Sequence, residues 1–346
     1  MAVDLIPAPA VANKQEWRAI VKKYEQRSNA RAALQLATTW LPLAVLFAIT
    51  YRVVQVSVVA GLVLALPAAG LLVRTFIIMH DCAHGSFFSS RRLNDAVGWL
   101  AGAMTLTPYA QWRRDHAMHH ASAGDLERRG HGDVPTLTVR EFEALSRVGR
   151  WRYRLLRNPI VLLAFGPLHL IFTQRVRPPG TPLADPQTRS VWSTNLAIVG
   201  LLALFVHLIG WRLVALTYVP AIYVAASAGI WLFFVQHQFD PTYWAAHADW
   251  DYFTAALCGS SYLRLPWALR WFTGDIGVHH VHHLSPRIPN YRLRRCHDEN
   301  PLFHSVTVLT WRDGFRAFRL SLWDEKESRL ISFADLDRAL GHPPRV

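Results

Sequence analysis

The chain has 346 residues, of which 51% are hydrophobic and only 18% charged, and it carries 14 tryptophans, 17 phenylalanines and 10 tyrosines. Ordinary soluble domains hold about 25% charged residues, so this composition excludes a disordered or low-complexity chain and points to a membrane protein. The net charge is +13, and only four of the 37 bases are lysines. No groove-reading motif accompanies these bases, so nucleic acid is not an expected partner; arginines beside membrane helices and lipid are. Three cysteines (Cys82, Cys258, Cys296) without a C-x-x-C exclude a disulfide framework, a zinc ribbon and a thiol-redox motif.

Residues 1–31 are polar and basic, with Lys14, Arg18, Lys22, Lys23, Arg27 and Arg31, and lack the short apolar core of a signal peptide. Ala32–Tyr51 is a largely apolar run interrupted by Trp40 and Pro42, and after a break at 52–55 the run Ser57–Met79 follows. Each is long enough to cross ~30 Å of hydrocarbon at ~1.5 Å per residue. They are expected to form one transmembrane hairpin, 32–79. In the stretch 80–192, Asp95–Tyr109 and Pro159–Phe172 are too short to span and are expected to be interfacial or buried helices, while the prolines and glycine of Arg175–Arg189 mark a loop. Thr194–Gly210 and Leu213–Phe239, separated by Trp211 and Arg212, give a second hairpin, 193–239, and 240–346 completes the chain. The expected fold is one all-α integral-membrane domain: four spanning helices in two hairpins, with a helical cap made from 80–192 and 240–346. Six bases lie before the first helix, against Arg52 and Arg212 at the hairpin tips. That bias places both termini and the cap in the cytoplasm, in a bacterial inner membrane. Arg74 must then sit near the cytosolic end or face the protein interior.

The 17 histidines are the unusual number, and ten of them cluster: His80/His84, His116/His119/His120, His237, and His279/His280/His282/His283. Spacings of three and four put each cluster on one helix face. Three such faces hold too many ligands for one metal, so two metals are expected. The topology brings all ten to one membrane surface, because the second and fourth spanning helices end at His80 and His237. In the last cluster helical geometry admits either 279/282/283 or 279/280/283 as the metal-facing set. The spacing of His116, His119 and His120 matches the first and leaves His280 as an outer or surface group. Single histidines (His131, His169, His207, His247, His297, His304, His342) are read as packing or surface residues. Asp81, Asp115, Asp125, Asp133, Asp240 and Asp275 stand near the clusters and are candidates to orient ligand imidazoles.

The segments His-Asp-Cys-Ala-His-Gly-Ser-Phe-Phe (80–88), His-Ala-Met-His-His (116–120) and His-His-Val-His-His-Leu-Ser-Pro-Arg-Ile-Pro-Asn-Tyr (279–291) resemble the three histidine boxes of membrane fatty acid desaturases. Val-Gln-His-Gln-Phe (235–239) resembles the separate histidine of that family, and 125–130 and 133–139 are also similar to it. Ser285–Tyr291 resembles the omega-6 (delta-12) acyl-lipid type of bacteria and plastids. The resemblance runs from about residue 30 to 330. It implies a non-haem centre of two irons that uses dioxygen to remove two hydrogens from an acyl chain. The ligands it implies are His80, His84, His116, His119, His120, His237, His279, His282 and His283. The substrate would be a fatty acyl lipid or an acyl thioester. No electron-carrying domain is recognisable in the chain, so a ferredoxin or b-type cytochrome is implied as external donor. Two departures stand out: Asp275 occupies a position where the family often has asparagine, and Ala83 one where glycine is common. A hydroxylase, acetylenase or ketolase of the same superfamily would share these ligands. A membrane metal transporter would instead place histidines along a path at the bilayer midplane, and a zinc hydrolase would need fewer. Trp112, Trp271 and Tyr291 flank the boxes as candidates for lining an acyl tunnel or for core packing.

Overall fold

The computed structural model describes residues 16–130, 134–177 and 180–341. Lys14, His131, Asp133, Pro178, Pro179 and His342 lie outside the described residues. A short helix α1 (Glu16–Lys22) precedes α2 (Asn29–Val53), which starts where the Ser28 hydroxyl accepts from the Arg31 N–H. The next helix, α3 (Val58–His84), is capped at its start by Ser57 and continues past the apolar run to His84. It stops at Gly85, whose φ of 66° is a conformation that side chains resist. His80 and His84 therefore project from the last two turns of an apolar helix.

The stretch after α3 is helical and shallow. It comprises α4 (Arg91–Met104), α5 (Tyr109–Ser122), α6 (Val139–Ala144), α7 (Arg147–Leu156) and α8 (Pro159–Gln174). Asn94 fixes the start of α4 through both side-chain atoms, accepting from the Phe88 N–H and donating to the Phe88 carbonyl. Helix α8 turns 82° away from α7 and lies on a later helix, while Ile160, Phe165 and Phe172 on its other side stay exposed. It carries Pro159 and Pro167 and is 16 residues long, which suits an interfacial or re-entrant piece.

The second pair of long helices is α9 (Pro186–Ile209) and α10 (Trp211–His237). With α2 and α3 they are the four helices long and apolar enough to cross a membrane among the described residues. Helix α9 begins inside the segment whose prolines and glycine signal a loop. Asp185 accepts from the Gln187 N–H, and Pro186 occupies the first turn, where its missing N–H costs nothing. His207 is exposed near the far end of α9.

The remainder comprises α11 (Tyr252–Cys258), α12 (Trp267–Thr273), α13 (His279–Leu284), α14 (Asn290–Asp298), α15 (Trp311–Arg316) and α16 (Phe333–Ala339). Five short strands join them within a fold that is mostly helical, as expected. β1 (Leu137–Thr138) pairs in parallel with β4 (Leu320–Asp324), which pairs antiparallel with β5 (Arg329–Ser332). β2 (Tyr262–Arg264) pairs in parallel with β3 (Val308–Thr310). Strands of two to five residues leave too little alternation in a sequence to compete with helical signals.

Helix α3 is the spine. Its small residues Ala65, Ala68 and Ala69 are buried with Leu72 and Val73 against Ala221, Ile222 and Ala225 of α10. Arg74 faces this interior, as required of a charge in such a helix. Its Nε donates to Thr39 Oγ1 at 3.1 Å, its Nη1 donates to the Trp271 carbonyl, and its guanidinium lies 4.2 Å from the Trp271 ring centre. Helix α12 is thereby fixed against the middle of α3, with Phe272 packed so closely on Gly70 that a Cβ there would come within 2.7 Å of its ring.

Candidate metal centre

Four elements deliver the histidines: the end of α3 (His80, His84), the last turns of α5 (His116, His119, His120), the end of α10 (His237) and the six-residue helix α13 (His279, His282, His283). Nine of the ten clustered histidines converge, and they divide into two groups. His80, His84, His116, His120 and His282 form one; His119, His237, His279 and His283 form the other. Within each group the ligating atoms lie within 4.8 Å of one another. The division cuts across the boxes. His119 leaves its helical neighbours to join the second group, and His282 leaves His279 and His283 to join the first, because each helix passes between the two groups with two imidazoles on one side and one on the other.

His282 Nε2 lies 3.0 Å from His80 Nε2 and 3.0 Å from His120 Nε2. His237 Nε2 lies 3.1 Å from His119 Nε2 and 3.0 Å from His279 Nε2. One imidazole nitrogen carries either a proton or a lone pair, so it cannot complete a hydrogen-bonded chain in both directions. Two nitrogens each ~2.1 Å from one metal, at right angles to each other, are ~3.0 Å apart. The spacing fits shared cations. The Nε2 atoms of His84 and His283 are buried without a protein hydrogen-bond partner, and a cation would satisfy them. Burial, reinforced by neighbouring imidazoles, pushes His116, His120, His279, His282 and His283 far below the ordinary histidine range. They are thus neutral at pH 7, the form that binds metal.

Outer contacts fix several rings. His80 Nδ1 donates to Asp81 Oδ1 at 3.0 Å, and His237 Nδ1 to the Gly259 carbonyl at 3.1 Å. Trp112 stacks on His116 with ring centres 4.3 Å apart. The other flanking aromatics have structural contacts: Trp271 lies under Arg74, and the Tyr291 hydroxyl accepts from the Ser28 N–H. Asp125 is wholly buried and tied to Arg128 and His247, not to a clustered imidazole. Asp240 is exposed, and Asp115 accepts from Gln111 Nε2. His280 turns away from both groups: it is fully buried, with Nε2 3.0 Å from His297 Nδ1, and His304 Nε2 donates onward to the His297 carbonyl. That buried partnership was not evident from sequence, where His297 and His304 look like isolated surface residues. His169 is exposed on α8.

Asp275 belongs to neither metal group. Its backbone is left-handed (φ 56°), directly after Gly274 at the same angle, and aspartate is one of the few residues that tolerate this. Its Oδ1 is buried without a hydrogen bond, 3.6 Å from Arg270 Nε. Burial pushes its pKa up to about 6, against the opposing pull of Arg74. A raised carboxyl pKa costs the folded protein nothing below the unfolded value near 4, and the full cost is reached only above about 6. Asp275→Asn should therefore raise the thermal midpoint at pH 7.5 by the equivalent of about 1–2 kcal/mol, after discounting for partial solvent access. The gain should shrink as the pH is lowered to 5. Unfolding of the detergent-solubilised variant across pH 5 to 8 tests this, and a gain independent of pH would contradict it.

Two of the four membrane-length helices, together with α5 and α13, bring nine imidazoles, eight of them buried, into two groups that could each hold a metal ion, the arrangement of a membrane protein of the histidine-box class. The family described as "Fatty acid desaturase" matches residues 55–309. A Bacillus subtilis (strain 168) fatty acid desaturase is 39% identical over 336 residues, covering 96% of this chain and 94% of its own length. A Synechocystis sn-1 acyl-lipid omega-3 desaturase (ferredoxin) is 32% identical over 72% of the chain and 69% of its own, and a Synechocystis sn-1 oleoyl-lipid 12-desaturase is 27% identical over 65% of the chain and 64% of its own. The chain belongs to the fatty acid desaturase family and is a membrane oxidoreductase.

Proposed function

We propose that the nine converging histidines hold two iron ions, and that the enzyme introduces a double bond at the omega-6 (delta-12) position of a lipid-linked acyl chain. When bound, the irons supply the redox chemistry that a methylene C–H requires, since no side-chain base can remove so weakly acidic a hydrogen. Dioxygen and external electrons are the co-reactants. The observation that carries this reading is the division of nine imidazoles into groups of five and four, each small enough for one cation. Imidazole ligands suit iron, as they also suit zinc, copper and nickel; membership of an oxidoreductase family supports a redox-active metal over zinc.

The chain's own residues do the rest. Asp81 and the Gly259 carbonyl fix the rings of His80 and His237, Trp112 backs His116, and burial keeps bulk water from the ligands. The similarity to the Synechocystis sn-1 acyl-lipid omega-3 desaturase (ferredoxin) supports ferredoxin as electron donor, with a b-type cytochrome the alternative carrier. The excess of bases before α2 supports a cytoplasmic metal centre. A reporter fused after Val346 should then read cytoplasmic and one inserted between Val54 and Ser57 external; both on one side would overturn the topology.

Lipid mass spectrometry with double-bond localisation, on a desaturase-null host expressing the chain, tests the reaction. A new double bond six carbons from the methyl end is expected. A double bond elsewhere overturns the regiochemistry, and a hydroxylated product favours the hydroxylase reading over desaturation.

A further inference from the structure

The run Ser285–Tyr291 carries part of the family resemblance yet contributes no imidazole. It leads into α14, whose first residue, Asn290, meets the first metal group from outside. The Asn290 backbone N–H, one of the donors a helix start leaves unpaired, donates to Asp81 Oδ2 at 2.6 Å, and its side-chain Nδ2 donates to the same oxygen at 2.8 Å. The other oxygen of Asp81 accepts from His80 Nδ1 at 3.0 Å. Asp81 and Asn290 are 1% and 2% exposed, so water does not compete for these bonds. Gly274 makes room for the arrangement: a Cβ there would lie 3.2 Å from Asn290 Oδ1.

We propose that Asn290 is a positioning residue of the metal centre, acting through Asp81 to fix the tautomer and ring angle of His80. This rests on the reading of His80 as an iron ligand. With Oδ2 engaged by two N–H donors from the start of α14, the carboxylate cannot rotate, and Oδ1 stays aimed at His80. A carboxylate that accepts at both oxygens leaves the shared proton on His80 Nδ1. The lone pair is then on Nε2, the atom 3.0 Å from His282 Nε2. Loss of the Nδ2 donor frees Asp81 to turn, and His80 loses its orientation while keeping its chemistry. Outer partners of this kind typically change metal affinity by 10–100-fold.

The test is anaerobic iron(II) titration of the detergent-purified full chain against a competing chromogenic chelator. Asn290→Ala should weaken the affected iron by roughly tenfold. Asn290→Ser, which retains a short donor, should recover most of the loss. The double variant Asp81→Asn/Asn290→Ala should be no worse than Asp81→Asn alone, because both substitutions break one chain of contacts. Affinity within twofold of wild type for Asn290→Ala, or losses that multiply in the double variant, would overturn the proposal. Asn290→Asp, which keeps the size and removes the donor, gives the same reading should the alanine variant not yield folded protein. His80→Ala separates the two levels: if it keeps both irons, the ligand reading falls and this inference with it; if it loses one while Asn290→Ala loses none, only the inference falls.

Discussion

His282→Ala should abolish desaturation and lower bound iron from two per chain toward one, whereas His280→Ala should leave most of the iron and measurable activity. The two residues are two positions apart on a six-residue helix and are equally buried. Exposure and local stability therefore do not distinguish them. Their neighbours do. His282 Nε2 stands between His80 and His120, so its loss opens the five-membered group at its centre. Removing a direct ligand should cost more than the 10–100-fold typical of an outer partner. His280 Nε2 faces His297, on α14, and its replacement removes one buried contact between two helices. The expected result for His280→Ala is a stability loss of about 1–3 kcal/mol with the metal groups complete. Metal analysis and acyl-product analysis of both purified variants decide the matter. Iron lost from His280→Ala and retained in His282→Ala would reverse the assignment.

Arg74→Ala should be the most damaging substitution away from the histidines. The guanidinium is buried within a spanning helix, and it ties that helix to two others: α2 through Thr39, and α12 through both the carbonyl and the ring of Trp271. Truncation leaves a buried carbonyl and hydroxyl without their donor, at about 1–3 kcal/mol, and removes a desolvated cation–π contact of about 2 kcal/mol. These losses overlap, so about 3 kcal/mol overall is expected, a fall of roughly 4 °C in thermal midpoint for a chain of this size. Arg91→Ala is the control. Arg91 is exposed and 3.9 Å from Asp95, and an exposed pair of that kind contributes about 0–1 kcal/mol. Equal midpoints for the two variants would contradict the role given to Arg74.

The parts of this molecule legible in its sequence are those written in periodicity. Long apolar runs gave the four long helices, and spacings of three and four placed His116, His119 and His120, and His279, His282 and His283, on single faces. Within the last cluster helical spacing admits two sets, and only the match to His116, His119 and His120 separates His280 from its neighbours. What periodicity could not convey was how the faces meet. A helix passing between the two histidine groups sends adjacent imidazoles to different groups, so the division of His119 from His120 and of His282 from His283 arises only in three dimensions. The clasp of Asn290 on Asp81 joins residues 209 positions apart, and no local pattern announces it. The start of α9 was hidden for a different reason: Pro186 reads as a loop breaker and acts as a first-turn residue because Asp185 caps the helix in front of it. The small sheets escaped because their strands are too short to impose an alternation. Asp275 looked like a possible metal neighbour; its left-handed backbone instead sets it near Arg270 and outside both histidine groups.

The measurement that bears most directly on a histidine-held pair of irons is the metal content of the intact protein, purified in detergent from iron-replete cells, by elemental analysis together with Mössbauer spectroscopy. Two irons per chain are predicted, in two distinguishable environments because one group offers five imidazoles and the other four. A single metal per chain, or full occupancy by zinc in protein that still desaturates, would contradict it.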